Sequence, residues 1–187
     1  MYLQAFLLTG GASTRMGSDK SAIEIEGEPL GARIGRLLTD AGFAVTILGR
    51  EPIPGFRFQQ DRDEYAGPLA ALSHVECTGA AAFVTSCDIP LFDPGFATYA
   101  VGEINHWDAA IPVINGVAQP LCAAYSATAL ESARKVFEAG ERRILPWTEQ
   151  IHARLLSDED LEHHGFDPRC VLSANTPEEL QALVESK

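Results

Sequence analysis

Residues 7 to 20, LLTGGASTRMGSDK, set Gly10, Gly11 and Gly17 among Arg15, Asp19 and Lys20, directly after a short apolar run. Glycine lets a backbone approach a ligand closely, oriented amides attract anions, and Arg and Lys add charge that amides alone do not supply. The chemistry such a loop suits is the cradling of a polyphosphate; a surface turn with solvated cations is the plain alternative. Two common phosphate loops are excluded by spacing. A Walker A loop needs G-x-x-x-x-G-K-[ST], whereas Gly17 is followed by Ser18 and Asp19 before Lys20, and the fingerprint G-x-G-x-x-G fails because Gly10 and Gly11 are adjacent.

Two further stretches place acids where apolar runs end: QDRD at 60 to 63, with Asp61, and SCDIP at 86 to 90, with Asp88. The elements that must position them follow from hydrophobic patterning. AFLLT reads as a buried strand, and PLGARIGRLLTDAG as a helix with Pro29 in its first turn, Leu30, Ile34, Leu37 and Leu38 on one face, and Gly42 at its stop. FAVTILG, FRFQQ and AAFVTSCD read as strands around a helix in GPLAALSHVE; later, WDAAIPVI and QPLCAAYS read as strands, TALESARKVFEAG as a helix and CVLSA as a last strand. Thr176 with Glu179 predicts a capping box for the final helix, NTPEELQALVES, with Pro177 at its first position. Uncharged strands alternating with amphipathic helices predict an α/β fold, a mostly parallel sheet with helices on both faces. Ligands in such folds bind beyond the carboxyl ends of the strands, so the three loaded ends are expected at one cleft.

The 187 residues suit a single domain over positions 1–187, with no repeat or linker to divide them. Fourteen Lys and Arg against 26 Asp and Glu give a net charge of -12, a field that repels nucleic acid yet allows a small phosphorylated ligand in one locally basic cleft. Cys77, Cys87, Cys122 and Cys170 lack zinc-site spacing and read as reduced thiols. No run is long enough to span a bilayer and the N-terminus has no basic leader, so the expectation is a cytoplasmic protein. The five histidines show no catalytic spacing, and SDEDLEHH reads as a solvated charged face.

Taken together, LLTGGASTRMGSDK, GEPL at 27 to 30, GPLAAL at 67 to 72, CDIP at 87 to 90, QPLCAAY at 119 to 125, AGERRI at 139 to 144 and NTPEEL at 175 to 180 resemble, in order and spacing, the nucleotidyltransferases of GT-A-like (Rossmann-like) fold. AGERR and NTPEEL narrow the resemblance to the MobA-like molybdenum cofactor guanylyltransferases. It implies Mg2+-dependent transfer of GMP from GTP to the phosphate of molybdopterin with release of pyrophosphate, and contact with cofactor-synthesis proteins or recipient molybdoenzymes. Such chemistry rests on positioning and neutralisation of phosphate charge, with no covalent nucleophile.

By the same resemblance, Leu8, Thr9, Gly10 and Gly11 make backbone contacts to the nucleotide, Lys20 meets its phosphates and Arg15 adds charge in the transition state. Asp88 corresponds to a magnesium-binding Asp, also explicable as a cap, and Asp61 to an acceptor for the guanine or ribose edge. Arg142 and Arg143 would receive the acceptor's phosphate or dithiolene end, although cations at a helix C-terminus explain them nearly as well; Asn175 would touch metal or acceptor. Two departures bear on base and acceptor geometry: Ile47 where the second strand is expected to end in Asn, and Ser173 where a first Asn is usual. Alternatives are a CTP-dependent cytidylyltransferase on the same acceptor, whose relatives more often carry A-A-G in place of TGG, and a non-catalytic nucleotide or cofactor carrier of the same fold.

Overall fold

The computed structural model describes residues 3–9, 24–25, 27–60 and 67–185. Strand β1 (Leu3–Leu8) is followed by a short antiparallel pair, β2 (Glu24–Ile25) and β3 (Glu28–Pro29), and by helix α1 (Leu30–Asp40), with Gly42 at φ 91° where the helix stops. Strands β4 (Phe43–Gly49) and β5 (Arg57–Gln60) lead through α2 (Pro68–Ser73) to β6 (Ala81–Ser86) and α3 (Pro94–Gly102). The second half comprises β7 (Ala109–Ile114), β8 (Val117–Ala118), β9 (Cys122–Ser126), α4 (Ala127–Glu138), α5 (Ile144–Thr148), β10 (Ala153–Ser157), α6 (Asp158–His163), a 3-10 turn (Pro168–Val171) and α7 (Pro177–Glu185).

Among the described residues one large sheet runs β10-β7-β9-β6-β1-β4-β5, with β8 beside β7. Strand β1 lies parallel to both β4 and β6, β4 to β5, and β7 to β10; β9 runs antiparallel between β6 and β7. The expected mostly parallel α/β sheet is what forms. From β1 the chain steps outward through β4 and β5, then returns to β6 on β1's other side, so strand order reverses at β1.

Alternation along the strands builds two cores. On one face Leu7 and Phe83 pack with Ile34 and Leu38 of α1 and Phe96 of α3; on the other, Leu8 and Val84 pack with Leu69 and Leu72 of α2, Leu130 of α4 and Trp147 of α5. Each such side chain withdrawn from water stabilises the fold by roughly 1.5–3 kcal/mol. Helix starts are set locally. Asp93 accepts from the Gly95 N–H, Ser126 from Ala129, and Ser157 forms a reciprocal capping box with Asp160.

Three expectations change. CVLSA is not a strand: the Asp167 side chain caps a 3-10 turn begun by Pro168, and Cys170 and Val171 fill the first core from that turn. The edge beside β7 goes instead to β10, from ARLLS. SDEDLEHH is not merely a solvated face, because its first residues are the capped helix α6, with Leu161 buried beneath. In the Thr176 cap, Glu179 donates its N–H to the Thr176 hydroxyl as expected (3.1 Å), while its carboxylate accepts from Asn175 (2.6 Å), the residue before the cap.

Candidate functional site

Reversal of strand order at β1 puts the natural crevice of the fold between the carboxyl ends of β1 and β6. There the backbones are laced together: the Cys87 N–H donates to the Leu8 carbonyl (3.0 Å), and the Thr9 N–H donates to the Leu48 carbonyl (2.8 Å). Leu8 pairs with Ser86 on one side and Leu48 on the other, and Gly49 pairs with Gln60 at the end of β5. Hence β1, β5 and β6 end along one edge of the sheet, with Asp88 just beyond β6. Gly10, Gly11, Arg15, Lys20 and Asp61 themselves lie outside the described residues.

Asp88 follows β6 in a turn and is 8% exposed. Its Oδ1 accepts a hydrogen bond from the Ser86 hydroxyl at 2.5 Å, and its carbonyl accepts from the Ala174 N–H at 2.8 Å. The second bond draws the chain before α7 onto the β6 turn and sets Asn175, an exposed residue, one position beyond it. Asp88 and Asn175 are thus brought to one place. Sequence reading passed over Ser86; the signal was a hydroxyl two residues ahead of the acid, the spacing that shares a face along extended chain.

Hard oxygen donors suit Mg2+, which keeps several waters and takes one or two carboxylates together with substrate phosphates. Asp88 fits that donor set. No group of three His, Cys, Asp or Glu side chains that could hold a metal ion occurs among the described residues. The cysteines are thiols rather than disulfides; burial raises Cys122 well above its usual range and pushes Cys170 up to about 12, so both stay protonated core groups.

Arg142 and Arg143 occupy the turn between α4 and α5. The Arg142 guanidinium donates to the carbonyls of Phe137 (2.8 Å) and Glu141 (3.0 Å) and lies 4.2 Å over the Phe137 ring, closing the C-terminus of α4. Arg143 pairs with the Glu141 carboxylate while its side chain is 78% exposed, beside an open concavity of about 590 Å³ lined also by Ile144, Leu145, Pro146 and Glu149. Arg142 thus closes the end of α4, and both arginines are exposed, Arg143 beside the concavity.

The same turn abuts GPLAAL. Gly67 precedes α2 with φ 87° and ψ 176°, and a Cβ there would sit 3.2 Å from the Arg142 carbonyl. The other end of α2 is held by side chains from three strands and helices. Arg134 donates to the Ser73 carbonyl (3.0 Å), Gln59 to that of His74 (3.1 Å), and the buried Gln4 to that of Glu76 (3.1 Å).

One departure moves. Ile47 is not the end of its strand: β4 continues to Gly49, Ile47 is completely buried in the first core, and the residue that leaves the strand beside Thr9 and Gln60 is the exposed Arg50.

Residues 5–154 match the MobA-like NTP transferase domain. A probable molybdenum cofactor guanylyltransferase of Natronomonas pharaonis is 31% identical over 196 residues, covering 96% of this chain and 95% of that relative. A second relative of that description, from Pelotomaculum thermopropionicum, is 27% identical over 180 residues, 93% of this chain and 88% of its own. In fold, the crystal structure of molybdopterin-guanine dinucleotide biosynthesis protein A from Archaeoglobus fulgidus superposes with a TM-score of 0.79 at 22% identity, over 96% of each chain. With the crevice of the sheet lined as described and the match running over most of its length, the chain belongs to the MobA-like NTP transferase family.

Proposed function

We propose that this protein transfers GMP from GTP to the terminal phosphate of molybdopterin and releases pyrophosphate. The observation that carries the reading is Asp88 at the β1/β6 crevice, its backbone tied to the chain that bears Asn175, in a chain whose full-length relatives are called molybdenum cofactor guanylyltransferases. In the reaction an acceptor phosphate oxygen bonds to the α-phosphorus of GTP while the bond to the β-phosphate bridging oxygen breaks, and the electron pair leaves with pyrophosphate. Positioning and charge neutralisation supply most of such catalysis.

The residues divide that work. Leu8 and Thr9 spend a carbonyl and an N–H on the sheet, which fixes where the glycine-rich loop departs; amides for phosphate are then to be sought from Gly10 and Gly11 onward, with Arg15 and Lys20 adding charge. Strand β5 ends at Gln60 on that edge, and the carboxylate of Asp61, next in sequence, would accept from the base or ribose. Asp88 would hold Mg2+, which when bound with the triphosphate supplies neutralisation of its negative charge. Arg143, exposed beside the concavity, would receive the acceptor's phosphate, and Asn175 would orient the acceptor near Asp88.

The test is pyrophosphate release from GTP, CTP, ATP and UTP with Mg2+ and molybdopterin, in wild type and Asp88→Ala. Release from GTP alone that requires the acceptor and disappears in the variant, with circular dichroism unchanged, is the expected result. Release from CTP would reassign the base. Binding of GTP or the pterin with no release from any nucleotide would make the protein a carrier.

A further inference from the structure

Ser86 is the last residue of β6 and is held from three directions. Its N–H donates to the Leu121 carbonyl (2.9 Å), its carbonyl accepts from the Thr85 hydroxyl (3.3 Å), and it pairs with Leu8 across the sheet. From that fixed base its hydroxyl donates to Asp88 Oδ1 at 2.5 Å, within the range of charge-assisted O–H···O− bonds. The Asp88 backbone is pinned on its other side through its carbonyl to Ala174. An aspartate has two side-chain torsions, so a fixed backbone and a fixed carboxylate oxygen leave little freedom to either. The carboxylate is oriented before any ligand arrives.

We infer that Ser86 is the positioning residue that presents the Asp88 carboxylate to a divalent cation and its nucleotide, an inference that rests on the reading of Asp88 above. A hard cation that uses one protein carboxylate draws affinity from having that carboxylate aimed in advance, and hydrogen-bond partners of metal-ligating carboxylates tune affinity although they never touch the metal. The competing account is a Ser-to-Asp bond that merely stabilises the turn after β6. The two differ in what a lost hydroxyl changes: metal dependence in the first, thermal stability alone in the second.

The experiment uses the full chain with Mn2+ as the cation, following the enhancement of water-proton relaxation when Mn2+·GTP binds, in wild type, Ser86→Ala, Ser86→Thr and Asp88→Ala. Asp88→Ala is expected to lose the enhancement. Ser86→Ala is expected to raise the Mn2+ dissociation constant about 10-fold or more, and Ser86→Thr, which keeps the hydroxyl, to stay within about threefold of wild type. In turnover, the Mg2+ concentration for half-maximal rate rises in Ser86→Ala while the rate at saturating Mg2+ stays near wild type. If Asp88→Ala loses Mn2+ binding but Ser86→Ala binds as wild type does, the role of Ser86 is wrong and that of Asp88 stands. If Asp88→Ala keeps full affinity, the reading of Asp88 fails and the inference with it. Equal losses in both Ser86 variants, each with a lowered melting temperature, would overturn positioning in favour of turn stability.

Discussion

Glu141 gathers the turn that carries the two arginines. The Arg143 guanidinium, and after it the N–H groups of Arg143 and Arg142, hold its carboxyl at about 2 against an ordinary 4.5. A depressed carboxyl stabilises the folded state fully above its unfolded value and loses that contribution as pH falls through the folded one. The turn should therefore loosen between pH 4.5 and about 2. Denaturation midpoints measured across that window should show a shallower acid limb in Glu141→Gln than in wild type. The arginines separate by a similar comparison. Arg142→Ala removes donors from the end of α4 and should cost about 0.5–1.5 kcal/mol of stability. Arg143→Ala should flatten the acid limb as Glu141→Gln does and raise the KM for the acceptor, which steady-state kinetics would report. At this scale sequence legibility was uneven. Asp88 and Asn175 were readable as motif residues, but the Ala174 bond that unites them joins positions far apart in the chain, and no local pattern encodes it. Ile47 misled because the resemblance put the strand's end there, although the run FAVTILG itself reads on to Gly49.

Among the elements, α2 shows how a short helix is held still. Six residues are too few for stable helix on their own, and three side chains from β1, β5 and α4 capture carbonyls at and after its C-terminus. Its other end depends on Gly67, whose φ of 87° with ψ of 176° is open essentially to glycine alone. Gly67→Ala should cost about 1–3 kcal/mol by chemical denaturation, the added methyl also pressing on the Arg142 carbonyl. Elements with strong punctuation were legible: FAVTILG matches β4 residue for residue, bounded by Gly42 and the end of apolar character. Others were not. Helix α3 is apolar almost all round, so it offers no amphipathic stripe, and the buried CVL run looks the same in a strand as in a 3-10 turn.

At the scale of the molecule, the sheet separates two cores that, among the described residues, share no side chain. Phe83→Leu in one and Trp147→Phe in the other should each cost about 1–2 kcal/mol and sum within about 0.5 kcal/mol in the double variant, as equilibrium unfolding would show. The overall class was legible because uncharged strands between helical patterns leave few alternatives, whereas the order β10-β7-β9-β6 is a matter of long-range pairing that short-range patterns do not contain.

That order also sets a timetable for synthesis. Strand β1 gains β4 as a neighbour first and waits for residues 81–86 before its other side is paired; the Asp88 turn then waits for Ala174. The turn is thus completed by chain far downstream of it, so a nascent chain interrupted between Asp88 and Ala174, however well its first half has collapsed, lacks the bond that pins that turn.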